Sequence, residues 1–191
     1  MFRDCSSITQ APKLPATTLA DSCYYDMFNG CISLTQAPEL PATTLADSCY
    51  GYMFRDCSSI TQAPELPAKT LADYCYDGMF FSCTSLTQAP ALLATTLANN
   101  CCANMFYGCT SLTQAPELPA TTLADSCYSY MFYNCSKLNN INVNFSAWNS
   151  INAITNWVSN VSSSGTFTCP KALPQEFGND RIPRGWTVIT K

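Results

Sequence analysis

Cysteine is the residue type best suited to chemistry in this sequence, which has thirteen cysteines and no histidine among 191 residues. A catalytic nucleophile needs a base held beside it. No cysteine has such a partner in the sequence. Glu39, Glu65 and Glu117 share one repeat position and suggest a carboxylate pair, but Lys13 and Ala91 stand at the same position in other copies, which favours a solvated edge. We therefore expect no catalytic residues and no enzyme activity.

The cysteine spacing also argues against metal binding. Structural zinc sites use CxxC or mixed cysteine and histidine spacings, and the sequence contains neither. It also lacks an Asp-x-Asp calcium loop and a glycine-rich phosphate loop. We expect no metal site and no cofactor.

Eleven of the cysteines instead recur at two positions of a repeat. They are Cys5, Cys31, Cys57, Cys83, Cys109 and Cys135 in one series, and Cys23, Cys49, Cys75, Cys101 and Cys127 in the other. In stacked coils each series forms a column, where a free thiol behaves as a small buried hydrophobe. Disulfides between the columns, such as Cys23 with Cys31, remain an alternative in an oxidising compartment.

A 26-residue repeat organises the chain and is clearest at 105–130, MFYGCTSLTQAPELPATTLADSCYSY. Five copies begin at residues 1, 27, 53, 79 and 105, and a sixth from 131 loses the pattern after about Leu138. A strict period of this length is typical of a solenoid, in which each unit buries its apolar face against its neighbours. We predict tandem repeats over 1–138 and a C-terminal cap over 139–191.

Within each copy, constant and variable positions separate as on a helix. In the second copy the constant residues fall at offsets 0, 3, 4, 7, 8 and 11, which is helical spacing; they are Ala46, Cys49, Tyr50, Met53, Phe54 and Cys57. We predict a short helix from about Leu45 to Arg55. Thr44 followed by Asp47 has the form of a capping box at its start.

The other half of the unit, 33–41, contains two prolines and is predicted to be extended. We expect a strand over 34–36, with Leu34, Ala37 and Leu40 facing inward. One glutamine per copy should form a hydrogen-bonded ladder, continued by Asn140, with a polar strip for a repetitive ligand as the alternative. One phenylalanine per copy should form the hydrophobic spine. These columns are Gln10, Gln36, Gln62, Gln88 and Gln114, and Phe2, Phe28, Phe54, Phe80, Phe106 and Phe132.

The tail, 139–191, departs from the period. Residues 141–145 can supply a further strand, and 165–169 and 185–189 read as two short strands. Ile151, Ile154, Trp157, Val158 and Val161 follow helical spacing, with Asn149 or Ser150 as an N-cap and Gly165 beyond the end. We interpret this segment as a cap on the last open coil, with a separate binding module as the alternative.

Composition excludes two classes of partner. Only 12% of the residues are charged and the net charge is −4, without a basic patch, so we expect no nucleic acid partner. No apolar run approaches the length that a membrane-spanning helix needs, so we expect no membrane insertion. Neither end resembles a signal peptide, and the first coil lacks a polar cap. We therefore expect the chain to be part of a longer protein.

The repeat resembles a known family. Its Cys-x-x-Leu step, the proline after a short strand and the closing Phe-x-x-Cys are similar to the BspA-like leucine-rich repeats of bacterial surface proteins. The resemblance implies an α/β repeat fold, a right-handed leucine-rich-repeat solenoid of strand–loop–short-helix units. It also implies an extracellular or cell-surface location and a role in adhesion.

The candidate binding residues lie on the variable side of the predicted helix. Tyrosine mixed with Asn, Asp, Ser and Arg is typical of binding loops, because rigid amphipathic rings give contact area at low entropic cost. The candidates are Tyr25, Asp26, Tyr52, Arg55, Asp56, Phe81, Tyr107, Tyr130 and Tyr133. We expect adhesion to a host protein or glycan; the alternatives are a spacer that presents another domain, and a phage tail or decoration component.

Overall fold

The computed structural model describes residues 1–149 and 152–191. Four strands form one parallel sheet in the order β1-β2-β3-β4. They are β1 (Gln114–Leu118), β2 (Asn140–Val143), β3 (Thr166–Cys169) and β4 (Thr187–Thr190), and a 3-10 turn covers Asn152–Ile154. β3 and β4 overlap the strands expected at 165–169 and 185–189. Ser150 and Ile151, named above in the predicted tail helix, lie outside the described residues.

In the earlier coils, the extended segments are joined by isolated parallel bridges in place of continuous strands. Gln10 pairs with Gln36, and Gln62 with Gln88, in each case at the equivalent position of the next coil. These contacts join backbones, and the glutamine side chains are exposed. Longer ladders are prevented because the facing prolines, such as Pro38, have no N–H to donate.

A full strand forms where the proline-bearing segment meets the proline-free β2. Its place differs from the prediction, because β1 begins at Gln114 and runs through Pro116, whereas the predicted strand corresponds to 112–114 in this copy. The expected inward residues of the second copy fit the structure, with Leu34 and Leu40 buried and Ala37 half-buried.

The predicted helix over Leu45–Arg55 is wrong. Residues 46–57, and the equivalent residues of the other coils, form a chain of overlapping turns, which we call the turn segment. In the turn segment, every second N–H donates to the carbonyl oxygen three residues earlier. Cys49 bonds Ala46 at 3.3 Å, Gly51 bonds Ser48 at 3.1 Å and Met53 bonds Tyr50 at 3.2 Å. Every fourth residue has a positive φ, at 56°, 52° and 57° for Ser48, Tyr52 and Asp56, whereas every residue of an α-helix has a negative φ.

The N–H groups between these turns donate to the next coil. Ser48, Tyr50 and Tyr52 bond the carbonyl oxygens of Asp73, Cys75 and Asp77 at 2.9, 3.0 and 2.8 Å. An α-helix would use all of these donors internally. The turn segment therefore shares its backbone hydrogen bonds between itself and its neighbour, which ties adjacent coils together.

The capping box at Thr44 and Asp47 is also wrong. Thr44 forms a parallel bridge with Thr18. The Asp47 carboxylate accepts the N–H of Asp73 in the next coil at 3.1 Å, and the N–H of Asp47 donates to Asp21 at 3.2 Å. This column of carboxylates joins neighbouring coils instead of capping a helix.

The phenylalanine column is confirmed as the spine of the core. Phe28, Phe54, Phe80, Phe106 and Phe132 are fully buried. Successive rings from Phe2 to Phe132 stack nearly parallel with centroids 5.5–5.8 Å apart, and Trp157 follows Phe132 at 6.2 Å.

The tail continues the same backbone pattern where a helix was predicted. Asn156 and Asn160 have positive φ angles of 50° and 60°, and the N–H of Phe132 donates to Trp157 O at 2.9 Å. Asn140 pairs with Thr166, again one period further along the chain. Within the described residues no helix has the length and apolar character needed to cross a membrane.

Candidate functional site

The variable residues predicted to bind lie together along one side of the coils. We call this set the outer row: Tyr25, Asp26, Tyr52, Arg55, Asp56, Phe81, Tyr107, Tyr130 and Tyr133. At its first end, Tyr25 meets Tyr52 edge-on with centroids 5.9 Å apart, and Tyr52 lies 6.4 Å from Phe81. In this half of the outer row, the ring contacts therefore continue from each coil to the next.

Aromatic rings dominate the other end of the outer row. Phe81 stacks on Tyr107 at 4.4 Å with an interplanar angle of 5°, and Tyr107 stacks on Tyr133 at 4.8 Å. Tyr130 completes the row, tilted against Tyr133 at 5.9 Å. Stacked rings cover each other's faces, so the three rings from Phe81 to Tyr133 turn mainly their edges to solvent.

Charged groups accompany the first half of the row. The Arg55 guanidinium carbon lies 5.8 Å from the Tyr52 centroid and 5.1 Å from the Phe81 centroid, within cation–π range of both. Arg55 also pairs with Asp56 at 3.3 Å. The Asp26 carboxylate accepts from Arg3 at 3.0 Å and from the Asn29 amide at 2.9 Å. The outer row therefore changes along its length, from paired charges at its first end to aromatic ring edges at the other end.

Tyr52 lies close enough to the Asp77 carboxylate to feel its charge. That carboxylate accepts a hydrogen bond from the Asn104 amide at 3.0 Å. Burial, with the Asp77 charge as the second cause, raises the pKa of Tyr52. Burial also raises the pKa of Asp77, against the opposing effect of the Asn104 hydrogen bond. Tyr52 therefore contributes to packing inside the protein as well as to the exposed surface.

Two glycines that sequence reasoning passed over make room for rings of the outer row. A Cβ on Gly51 would lie 2.8 Å from the Tyr25 ring, and one on Gly78 would lie 2.3 Å from the Tyr52 ring. Gly51 stands one copy after Tyr25 at the same repeat position, and Gly78 stands one copy after Tyr52 in the same way. The sequence contained a signal for this packing, because at both repeat positions a tyrosine in one copy is replaced by glycine in the next copy.

The thiols have a structural role. In the first column every thiol after Cys5 donates to a phenylalanine carbonyl of the preceding coil, as Cys57 does to Phe28 O at 3.1 Å and Cys83 to Phe54 O at 3.0 Å. Burial raises the pKa of Cys57 to about 12. All thirteen cysteines are unpaired in the structure, and only Cys5 and Cys23 are exposed. The described residues contain no group of three or more His, Cys, Asp or Glu side chains placed to hold a metal ion.

A comparison with protein-family models matches most of the chain. The model described as BspA type leucine-rich repeat region matches in six copies, over residues 1–113 and 96–176. Comparisons with curated proteins and with solved structures gave no match.

Proposed function

Since this chain belongs to the family of BspA-type leucine-rich repeat proteins, we propose that it is a non-enzymatic adhesion module that binds a host or surface protein through the outer row. We place it outside the cell or on the cell surface. The observation that carries the proposal is the unbroken contact from Tyr25 through Tyr52 and Phe81 to Tyr133. Such a strip gives one partner a continuous surface across several coils.

A protein partner suits this strip better than a glycan. Sugars bind aromatic side chains mainly against an open ring face, and the faces of Phe81 and Tyr107 are covered by stacking at 4.4 Å. Tyrosine, phenylalanine and arginine are instead residue types enriched in protein interfaces. Arg55 is held in place by Tyr52 and Phe81, so binding it costs little side-chain entropy.

The architecture we propose for the module is a solenoid of 26-residue coils over 1–138 with a cap over 139–191. Support for the cap comes from the aromatic cluster that follows the phenylalanine column. Phe145, Trp157 and Phe167 are fully buried, and Trp157 contacts Phe132, Phe145 and Phe167 at 6.2–6.3 Å. This cluster ends the ring stack and removes its last face from water.

The test is binding of the purified chain to arrays of matrix proteins, mucins and glycans. The test variant carries Arg55, Tyr107 and Tyr133 changed to serine. Tyr52 is left unchanged because its ring fills the space beside Gly78, so its loss would disturb packing between coils. The matched control carries Gln36, Gln62 and Gln88 changed to serine, since these side chains are also exposed but lie on the bridge side of the coils.

Saturable binding to a protein probe that the test variant loses and the control keeps supports the proposal, provided both variants melt like the parent chain. Loss in the control alone moves recognition to the bridge side. Binding to glycans alone contradicts the protein-partner proposal. Absence of binding to every probe favours the spacer, and trimers that co-purify with phage particles favour a tail or decoration component.

A further inference from the structure

One column of the core is interrupted in a single coil. Tyr24, Tyr50 and Tyr76 occupy equivalent positions and stack with centroids 5.8 and 6.0 Å apart. The next member is Cys102, and Tyr128 follows in the coil after it. A ring is therefore missing between Tyr76 and Tyr128, in an otherwise regular core.

A small cavity lies where the ring is missing. Its volume is about 10 Å³, and apolar side chains such as Leu66, Leu71 and Leu97 form most of its lining. The polar side chains on the lining are Tyr76, Cys102 and Tyr128. All three are buried, with at most 1% of their surface exposed.

The Tyr76 hydroxyl has no hydrogen-bond partner among the described residues, and it is the one such buried side-chain atom found there. Buried hydroxyls nearly always find a partner, from the protein or from an ordered water, because an unmade hydrogen bond is costly. The protein itself therefore leaves Tyr76 unsatisfied at the edge of the cavity.

We propose that this cavity binds one internal water molecule, hydrogen-bonded to the Tyr76 hydroxyl. A cavity of about 10 Å³ is close to the smallest that holds a water, and it excludes larger ligands. A stable buried water needs two to four polar partners, and the lining carries three polar side chains, those of Tyr76, Cys102 and Tyr128. In the fourth copy, where Cys102 stands in place of tyrosine, a water thus takes the space of the missing ring. This water distinguishes the fourth copy from the others.

The test counts long-lived internal waters by oxygen-17 magnetic relaxation dispersion. We expect Cys102→Tyr to hold one long-lived water fewer than the parent chain, because the restored ring fills the cavity. Tyr76→Phe keeps the cavity but removes the hydroxyl, and it should shorten the residence time of the same water. Tyr50→Phe is the matched control, since Tyr50 belongs to the same column but does not line the cavity; its count should equal that of the parent.

A crystal structure of the parent chain gives an independent readout, with density for a water within hydrogen-bonding distance of Tyr76 Oη. Equal water counts and residence times in the parent, Cys102→Tyr and Tyr76→Phe proteins would overturn the proposal, as would an empty cavity in a well-ordered crystal. If Cys102→Tyr does not fold, the comparison of Tyr76→Phe with Tyr50→Phe and the crystal density decide the matter.

Discussion

The ring of Tyr52 occupies the space in which Gly78 would carry a side chain. A Cβ on Gly78 would lie 2.3 Å from Tyr52 Cε1, and the glycine has a φ of +57°. The two residues stand at the same repeat position in consecutive copies. The Tyr52 side chain fills the space beside both of them. Variation on the outer row is therefore coupled between neighbouring coils and not free at each position.

We expect Gly78→Ala to destabilise the protein. The added methyl meets the Tyr52 ring, a crowding effect of about 1–3 kcal/mol, and alanine at positive φ adds about 1–2 kcal/mol. Urea unfolding measures the change. Gly51→Ala is the comparison and should cost less, because the Tyr25 ring it meets is 46% exposed and can move.

The coupling of Tyr52 and Gly78 is tested by a double-mutant cycle. In the Tyr52→Ala background the methyl of Gly78→Ala has no ring to meet, so its cost should fall to that of the strained backbone. A coupling free energy of about 0.5–3 kcal/mol is typical for residues in contact. Strict additivity of the two substitutions would contradict the packing described here.

We expect Phe80→Ala to lower the free energy of unfolding by about 3–5 kcal/mol, the usual cost of emptying a buried phenylalanine site. Phe80 is fully buried and stacks on Phe54 and Phe106 at 5.6 and 5.7 Å. Thermal unfolding gives the measurement, with Phe177→Ala as the control because Phe177 is 42% exposed. An unchanged melting temperature for Phe80→Ala would show that the coil register is wrong.

Thiol labelling of the native protein should modify Cys5 and Cys23 and leave the other eleven cysteines unreacted. The thiolate is the reactive form, and burial both blocks access and raises the pKa of thiols such as Cys49, to about 11. Mass spectrometry locates the labels before and after unfolding in urea without a reductant. Thiols that stay unlabelled after unfolding would show disulfides, and rapid native labelling of Cys49 would show that its column is open.

Stability should fall steeply in alkaline solution. The pKa values of Cys57 and Cys127 are raised from 9.0 to about 12 in the folded protein. A raised folded-state pKa means that the unfolded chain loses these protons first, so the stabilisation is complete below about pH 9 and is lost as the pH rises through about 12. Between those limits each such thiol steepens the fall by about 1.4 kcal/mol per pH unit.

Urea unfolding from roughly pH 8 to pH 11 measures this slope. The Cys127→Ala variant has one buried thiol fewer and should show a shallower dependence, although it is less stable at neutral pH. Identical slopes for the parent and Cys127→Ala would contradict a raised pKa at that thiol.

Much of the architecture was readable from the sequence, because a strict repeat forces equivalent residues into columns. The repeat period, the buried series at Cys49, Tyr50, Met53 and Phe54, and the phenylalanine spine all follow from that rule. The residues of the outer row stood out as variable positions around a constant core, and their role in binding stays a prediction. Their contacts, such as Phe81 on Tyr107, could not be predicted, because the sequence does not give the stagger between coils.

The amino-acid pattern alone settles which side chains face inward, whereas the backbone that carries them depends on the assembled coils. Offsets of 3, 4, 7 and 8 fit an α-helix and a chain of turns repeating every four residues equally well. The turns prevail because half of their N–H groups, such as those of Ser48 and Tyr50, find carbonyl partners in the next coil. A hydrogen bond to a neighbouring coil leaves no mark on local spacing, so the helix and its cap were predicted where the assembled coils form turns.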